Sequence, residues 1–342
     1  MCESSRFLEL LSAFMNNYLP TGVNSSPNTI RSYKYAFRLL IEFMFSKKGI
    51  PADKITFADL DYDLLSDFFD WIVTVRKCSL STKNQRLSAL LSFSEYVQNR
   101  DFDAASVFRN SIVQIPNKKA PKKSRAWFST EETRILLSLP DERRATGLRD
   151  KVLLSTMYAS AARAQEICDM VVGNFRFTQV DATIDIHGKG GKTRRISISQ
   201  TCANLLRNYM KKRQIDHLPD KPVFSSQTHE QMTVSCVEEI VKKYVHIAKE
   251  QNPDLFRNGK YSPHSIRHST ATHMLEAGVP LMVIKNFLGH ASVQTTQIYA
   301  ELSQNIVNKH LREWNEKWFP HDIASAPGKE ESNGNIPAFL TP

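Results

Sequence analysis

The sequence lacks three features that would each mark a class of protein. No stretch of 18 apolar residues occurs in the chain, which excludes a hydrophobic transmembrane helix. No basic segment stands ahead of an apolar run after Met1, so we expect no secretory signal. The five cysteines are odd in number, far apart and never in CxxC spacing. They predict free thiols in a reducing compartment, the cytoplasm, without a disulfide framework or a zinc site.

The sequence is rich in positively charged and in apolar residues. The 342 residues include 45 Lys or Arg against 35 Asp or Glu, a formal net charge of +10, and 41% are hydrophobic. The apolar content predicts an ordered globular protein, and the length predicts two domains with separate cores. The excess of positive charge favours a polyanionic partner, and composition alone leaves nucleic acid, anionic lipid and no specific partner all open.

The first hundred residues show the three- and four-residue spacing of amphipathic helices. The apolar positions are Ile30, Tyr33, Phe37, Leu40, Ile41 and Met44 in one segment, Leu64, Leu65, Phe68, Phe69, Ile72 and Val73 in the next, and Leu87, Leu90, Leu91 and Phe93 in a third. We interpret these stripes as a helical core. Ser81 or Thr82 is the predicted N-cap of the third helix.

A basic segment over residues 117–126 interrupts the helical pattern. Its cations are Lys118, Lys119, Lys122, Lys123 and Arg125, with Pro121 among them. Such a segment cannot bury itself, which predicts a solvated linker between two domains. A linker of this charge could also follow a phosphate backbone, and the segment by itself leaves both interpretations open.

The sequence pattern from about residue 127 to residue 319 predicts helices with one interruption. Alternating residues at 183–186 and 195–198 flank a Gly-rich stretch at 187–192, a pattern that predicts a β-hairpin. From residue 320 to residue 342 the chain has little apolar content and many Gly, Ser, Pro and Glu residues, which predicts a disordered tail.

The densest cluster of functional groups lies just after Tyr261. Ser262 is a good N-cap and Pro263 suits the first helical position. On that helix His264, Arg267 and His268 stand at i, i+3 and i+4, on one face of the first turn, where an anion such as phosphate is favoured. A partly buried polar face and a metal held by the two histidines are the alternatives; against the metal, no Glu lies between the histidines and Arg267 would repel a cation.

Further residues complete an ordered series along the chain. In order it reads Arg163, Lys189 on a Gly-flanked turn, His264-x-x-Arg267, Leu-Gly-His290 and Thr-Thr-x-x-Tyr299. This series resembles the tyrosine recombinase (phage integrase) family, whose catalytic domain carries Arg, Lys, His-x-x-Arg, His and Tyr in that order. Thr29-x-x-x-Tyr33 and Ser81-Thr82 with Arg86-Leu87 are similar to its helical core-binding domain. The resemblance covers about residues 5 to 318, with one departure: Ala161-Ala162 stand where the family usually has Gly and an apolar residue.

The resemblance implies a mainly α fold in two domains. A helical SAM-like core-binding domain is expected in residues 1–116, the basic linker in 117–126, and a catalytic domain in 127–319, mixed α/β but mostly helical with a small β-hairpin. It also implies double-stranded DNA with an inverted-repeat core site as partner, clamped between the two domains. The expected assembly is a homo-tetramer on two sites, or a hetero-tetramer with a related recombinase, linked by a helix over 306–319. No role at a membrane is implied.

The family chemistry is transfer of a DNA phosphoryl group to a protein hydroxyl. The resemblance implies Tyr299 as nucleophile, Arg163 and Arg267 as the clamp on the phosphate oxygens, and Lys189 as the acid for the leaving oxygen. His264 and His290 would complete the hydrogen-bond shell, with His264 the proton acceptor and His268 supporting. Neither a metal ion nor ATP is required. Contacts with the DNA backbone are expected from the linker cations named above and from Lys192.

Three related functions remain open at this point. The absence of an additional N-terminal module predicts a simple recombinase, of the Xer-like or mobile-element type, and the divergent Ala161-Ala162 with the polar tail favours the mobile element. A type IB topoisomerase uses similar chemistry but rejoins the same strand. A non-catalytic DNA-binding regulator of the same fold is the third alternative, disfavoured because every expected catalytic group is present.

Overall fold

The computed structural model describes residues 6–118, 126–178, 182–188, 191–257 and 259–289. The chain divides between residues 123 and 124 into two compact units. Each unit has its own cluster of buried apolar side chains. Each therefore has the apolar interior that a domain needs in order to fold.

The first unit consists of helices. They are α1 (Arg6–Ala13), continued by a π-helical segment (Phe14–Gly22), α2 (Pro27–Lys48), a 3₁₀ turn (Ala52–Lys54), α3 (Tyr62–Thr74), α4 (Leu80–Gln98) and α5 (Phe102–Gln114). Side chains cap α2, α3 and α4, because Ser26, Asp61 and Ser79 each accept a backbone N–H three residues on. The predicted cap of α4 at Ser81 or Thr82 is wrong. Ser79 is the cap, and Thr82 supplies the N–H that its hydroxyl accepts at 3.2 Å.

Aromatic rings fill the interior of the first unit. The ring of Phe93 on α4 lies 5.8 Å from that of Phe7, 5.2 Å from that of Phe14 and 5.0 Å from that of Phe37. All four side chains are buried. The predicted helical stripes are confirmed as core, since each of the three segments contributes fully buried residues.

The second unit is helical apart from one small sheet. Its elements are α6 (Thr130–Ser138), α7 (Ala145–Ser160), α8 (Ala164–Cys168), a 3₁₀ turn (Val172–Asn174), β1 (Phe175–Phe177), β2 (Ala182–His187), β3 (Thr193–Ile198), α9 (Gln200–Lys212), α10 (Val234–Gln251), α11 (Pro263–Glu276) and α12 (Leu281–Leu288). The mainly α fold with a small β element is therefore confirmed.

The sheet confirms the predicted hairpin and adds a strand. β2 and β3 pair antiparallel, with Ala182 opposite Ile198 and His187 opposite Thr193, and β1 pairs with the other edge of β2. Strand β1 was not predicted, because three residues are too few to show an alternation of apolar and polar side chains. Side chains alternate across β3, so that Ile196 and Ile198 are buried while Arg195 is exposed.

Hydrogen bonds from its buried middle turns hold α11 in the second unit. The hydroxyl of Ser269 accepts the backbone N–H of Phe128 at 2.7 Å. The hydroxyl of Thr270 donates to the carbonyl of Tyr158, on α7, at 2.9 Å. His273 bonds the Tyr158 hydroxyl through Nδ1 at 2.9 Å and the Phe128 carbonyl through Nε2 at 3.0 Å. The helix that carries the predicted His-x-x-Arg pair is thus held by polar contacts as well as apolar packing.

The four cysteines within the described ranges, Cys78, Cys168, Cys202 and Cys236, are all free thiols. Burial raises the pKa of the Cys168 thiol to about 12 and that of the Cys202 thiol to about 11, so both stay protonated at neutral pH. Among the residues that the structure describes, no helix combines the length and the apolar character needed to cross a bilayer.

Candidate active site

The first turns of α11 carry three of the predicted site residues. The helix begins at Pro263 with Ser262 as its N-cap residue, as predicted. His264 is exposed, whereas Arg267 and His268 are only 5% and 4% exposed. The spacing is as predicted, but the three side chains differ in burial: His264 is the one exposed residue in a buried run from Pro263 to Thr272.

Arg267 connects α11 to two distant parts of the chain. Its Nη1 donates to the carbonyl of Ala161 at 2.6 Å, and its Nη2 donates to the carbonyl of Leu288 at 2.7 Å. Ala161 lies two residues before Arg163, and Leu288 lies two residues before His290. One guanidinium therefore gathers the backbone segments that lead into two other predicted site residues.

Arg163 stands at the N-terminal end of α8 and shares a carboxylate with a second arginine. Its Nη1 lies 2.7 Å from Oε1 of Glu166, and its backbone N–H donates to Oε2 at 2.8 Å. Arg194, on β3, donates to the same two oxygens through Nη1 at 3.1 Å and Nη2 at 2.7 Å. The Arg163 side chain is 38% exposed, while those of Arg194 and Glu166 are 12% and 6% exposed.

The charge of this triad favours an anion. Burial acts to raise the pKa of Glu166, but the hydrogen bonds from Arg194 and Arg163 outweigh it and leave the pKa below its ordinary value. The carboxylate is therefore ionised at neutral pH, and two guanidiniums against one carboxylate leave a net positive charge. Because Arg163 is the exposed member, that charge is presented to solvent where a phosphate oxygen could bind.

Two glycines bring further segments against Arg194. A Cβ on Gly289 would lie 3.2 Å from Cδ and 3.3 Å from Nη1 of Arg194, and Gly289 also has a positive φ of 65°. A Cβ on Gly188 would lie 3.6 Å from Oε1 of Glu166 and 3.8 Å from Nη1 of Arg194. These glycines immediately precede His290 and Lys189 in the sequence. Three segments of the chain, at Glu166, Gly188 and Gly289, thus meet around the mostly buried side chain of Arg194.

The chain matches known proteins along most of its length. The model of the phage integrase family matches residues 126–305, and that of the phage integrase SAM-like domain matches residues 6–98. The chain belongs to the phage integrase family. A putative integrase/recombinase of Sinorhizobium fredii, y4rC, is 30% identical over 302 residues, which are 88% of this chain and 89% of the relative. The tyrosine recombinase XerA of Pyrococcus horikoshii is also 30% identical, over 85% of this chain and 88% of the relative.

Solved structures of similar recombinases share the fold of this phage integrase family member. The XerH site-specific recombinase in a post-cleavage complex with palindromic difH substrate has a TM-score of 0.68, with 21% identity, and 92% of each chain is covered. The Tn1549 transposon integrase in complex with circular intermediate DNA has a TM-score of 0.64, with 14% identity over 85% of this chain and 94% of the integrase.

Ala161 is the residue at which the sequence ahead of Arg163 departs from the expected phage integrase pattern. Ala161 ends α7 in the left-handed region, with φ 46° and ψ 31°. A residue with a Cβ adopts this conformation only at a cost, which glycine avoids. Ala161 is nevertheless fully buried and its carbonyl accepts the hydrogen bond from Arg267. Tertiary contacts therefore hold Ala161 in a conformation that its own Cβ disfavours.

Six predicted site residues lie within the described ranges: Arg163, His264, Arg267 and His268, and the two lysines Lys118 and Lys192 expected to contact the DNA backbone. The others fall outside the described residues, namely Lys189, His290 and Tyr299 of the catalytic set and Lys119, Lys122, Lys123 and Arg125 of the linker. Lys118 and Lys192 are exposed. The carbonyl of Lys192 accepts the Gly188 N–H at 2.8 Å, just beyond the ends of β2 and β3. The predicted terminal helix and tail also lie outside the described residues.

Two residues of the site were absent from the predicted set, Glu166 and Arg194. The i,i+3 spacing of Arg163 and Glu166 predicts only an ordinary helical ion pair. A stronger signal was available in β3, where Arg194 occupies the same side of the strand as the buried Ile196 and Ile198. An arginine at an inward position needs an ionic partner, and that requirement could have indicated a buried carboxylate.

The chemistry of the donors favours an anion over a metal. Within the described ranges, no group of three or more His, Cys, Asp or Glu side chains is placed to hold a metal ion. The carboxylate nearest to Arg163 is already bonded to two guanidiniums. What the described part of the site offers is a set of cationic hydrogen-bond donors.

Proposed function

We propose that this member of the phage integrase family is a site-specific DNA recombinase that cuts and rejoins DNA through a 3′-phosphotyrosine at Tyr299. The observation that carries the proposal is the pair of hydrogen bonds from Arg267 to the carbonyls of Ala161 and Leu288. They tie the segments leading into Arg163 and His290 to the helix that carries His264. A phosphoryl-transfer site needs such a gathering of cations and donors around one phosphate.

Tyr299 supplies the nucleophile in this mechanism. A tyrosine hydroxyl with a pKa of ~10 is only about one-thousandth ionised at neutral pH, so a base must take its proton. His264 accepts that proton as Oη bonds to phosphorus and the bond from phosphorus to the 5′-oxygen breaks. Lys189 donates a proton to the departing 5′-oxygen. The reverse reaction with the 5′-hydroxyl of a different strand completes the exchange without ATP.

Positive side chains stabilise the charge that gathers on the phosphorane. Arg163 and Arg267 lie against the non-bridging oxygens, His290 completes the hydrogen-bond shell, and His268 supports the helix behind them. Guanidiniums and imidazoles thereby perform the charge neutralisation that Mg²⁺ supplies in other phosphoryl-transfer enzymes. The reaction accordingly requires no metal ion.

Double-stranded DNA with an inverted-repeat core site is the proposed partner. The core-binding domain in residues 1–116, the linker in 117–126 and the catalytic domain in 127–319 all contribute to binding. Lys118, Lys192 and the other linker cations neutralise backbone phosphates. Each such contact is expected to add about −0.9 to the slope of log affinity against log salt concentration.

A tetramer on two DNA sites, in the cytoplasm, is the proposed assembly. It contains four copies of this chain or pairs it with a related recombinase, and the segment over 306–319 docks onto a neighbouring subunit. Deleting residues 305–342 is expected to abolish strand exchange while sparing binding to a single site. Loss of both activities in a folded protein would contradict the docking. Of the biological roles, movement of a mobile element is favoured over resolution of chromosome dimers, because of the divergent Ala161-Ala162 and the polar composition of residues 320–342.

The test captures the covalent intermediate without knowledge of the target site. The protein is incubated with fragmented genomic DNA and a nicked random-sequence pool, denatured in SDS, and the protein-linked DNA is recovered and sequenced. Tyr299→Phe is compared with Tyr62→Phe, which removes the hydroxyl of a tyrosine that is 41% exposed at the start of α3. We expect linked DNA enriched in one inverted-repeat motif from the parent and from Tyr62→Phe, and none from Tyr299→Phe.

The opposite outcomes separate the alternatives. A protein–DNA adduct that persists in Tyr299→Phe would refute the assignment of Tyr299 as the nucleophile. No adduct from a parent protein that binds DNA would favour the non-catalytic regulator.

A further inference from the structure

Arg194 is the inward-facing arginine of β3. Its side chain is 12% exposed and bonds both oxygens of Glu166, at 3.1 and 2.7 Å. Its neighbour Arg195 points to the other side of the strand and makes a similar two-point contact with Asp185, at 2.7 and 2.9 Å, but with 53% of its side chain exposed. The two residues therefore have matched chemistry and opposite surroundings.

Glu166 links Arg194 to Arg163, because both arginines bond its carboxylate. The Oε1 atom that Arg194 bonds also accepts Nη1 of Arg163 at 2.7 Å, and Oε2 accepts the Arg163 backbone N–H at 2.8 Å. With Arg194 on one side, the carboxylate cannot rotate without breaking a buried ion pair. The Arg163 guanidinium is thereby held at one place at the edge of the site.

We propose that Arg194 is a positioning residue for strand cleavage: it fixes the Glu166 carboxylate that orients Arg163, and it packs against Gly188 and Gly289. The inference deepens the proposed function and rests on it. Because Gly188 and Gly289 immediately precede Lys189 and His290, one guanidinium contacts the backbone leading into two more of the proposed catalytic residues.

Stability alone does not explain this arrangement. A buried ion pair contributes little net stability, because the cost of removing both charges from water offsets their attraction. The Nε atom of Arg194 is also buried, without a hydrogen-bond partner among the described residues. An unsatisfied buried donor costs about 1–3 kcal/mol. The net stability that Glu166 and Arg194 contribute is therefore smaller than their hydrogen bonds alone would give, and their fixed geometry is what the site gains from the pair.

The experiment measures single-turnover cleavage of the recovered core site by the full-length protein. Arg194→Gln, Arg194→Lys and Glu166→Gln are compared with Arg195→Gln, the exposed neighbour on the same strand. DNA affinity and the fraction of folded protein are measured in parallel, and the rates are expressed per folded, DNA-bound molecule. A misplacement of about 1 Å in a catalytic group costs about 100-fold in rate.

We expect Arg194→Gln to lower the cleavage rate about 100-fold with little change in DNA affinity, and Arg195→Gln to match the parent. Arg194→Lys keeps the charge but loses the two-point fork, so it should recover part of the rate. Because Arg194 acts through Glu166, the Arg194→Gln, Glu166→Gln double variant should be no slower than the slower single variant.

Three results would overturn the inference. One is a rate for Arg194→Gln equal to that of Arg195→Gln. Another is a loss of folded protein in both Arg194 variants with no change in rate per folded molecule, which assigns Arg194 to stability alone. The third is full additivity of the Arg194 and Glu166 effects. If instead the parent forms no Tyr299-dependent adduct, the proposed function itself fails, and the two failures are thus distinguished.

Discussion

Replacing Arg267 by alanine is expected to remove a large part of the stability of the second unit. The guanidinium is 5% exposed and bonds two backbone carbonyls, at 2.6 and 2.7 Å, from segments that are otherwise far apart in the chain. A hydrogen bond that involves a charged group contributes about 1.5–3 kcal/mol, and the alanine would leave both carbonyls without this donor. We expect a loss of about 3–5 kcal/mol from a total of about 5–15 kcal/mol.

Two further variants make the prediction specific. Arg267→Lys keeps the charge, but an ammonium lacks the planar fork that reaches two carbonyls at once, so we expect a loss of about 1.5–3 kcal/mol. Arg257→Ala is the matched control. Arg257 pairs with Asp254, and its side chain is 68% exposed, so its removal should cost less than about 1 kcal/mol.

The measurement is urea unfolding of the full chain, followed by far-ultraviolet circular dichroism. The expected order of the midpoints, from high to low, is parent, Arg257→Ala, Arg267→Lys and Arg267→Ala, with unchanged slopes. An Arg267→Ala protein within about 1 kcal/mol of the parent would refute the reasoning, because the two carbonyls would then have been satisfied in some other way.

Three shorter predictions concern the same unit. Ala161→Gly removes the cost of a left-handed alanine, about 1 kcal/mol, but also loses the burial of a methyl group, about 0.8 kcal/mol, so the thermal unfolding midpoint should change little. Ala161→Val should lower that midpoint clearly. Asp150 is 1% exposed and accepts from Arg149 at 2.7 Å, so Asp150→Asn should cost about 3–5 kcal/mol in urea unfolding, and a cost below 1 kcal/mol would contradict the ion pair. Because folding lowers the pKa of Glu166, the ionised carboxylate contributes stability at pH values above its ordinary pKa of 4.5. That stability is lost as the pH falls through the pKa of the folded protein. The difference in stability between the parent and Glu166→Gln should therefore narrow below pH 4.5, and a constant difference would show that the carboxylate is not the group responsible.

Features that depend on neighbours in the chain could be predicted closely. The start of α11 at Ser262 and Pro263 follows from capping chemistry, and the hairpin around residues 187–192 follows from alternation on both sides of a Gly-rich turn. The helix α4 was predicted from its apolar spacing, but its cap was misplaced by two or three residues. Several hydroxyls lie close together at Ser79, Ser81 and Thr82, and local sequence does not decide which one precedes the first turn.

The candidate site was predicted as an ordered set of residue types, and its supporting contacts were not. Arg163, His264 and Arg267 could be named from the motifs that carry them. Glu166 and Arg194 were missed because their contact joins residues 28 apart on different elements, and short-range patterns contain no information on that pairing. The exposure of His264 beside the buried Arg267 likewise depends on which side chains of α11 face neighbouring elements.

The sequence by itself determined the helical character of the chain, the hairpin and the order of the catalytic residue types, because each depends on interactions within a few residues. Only the tertiary structure decided that Arg267 bonds a carbonyl 106 residues earlier and another 21 residues later. It also decided that Ala161 takes a left-handed conformation that its own side chain disfavours. The free energy for both comes from buried contacts between separate elements, and such contacts exist only when the elements have packed.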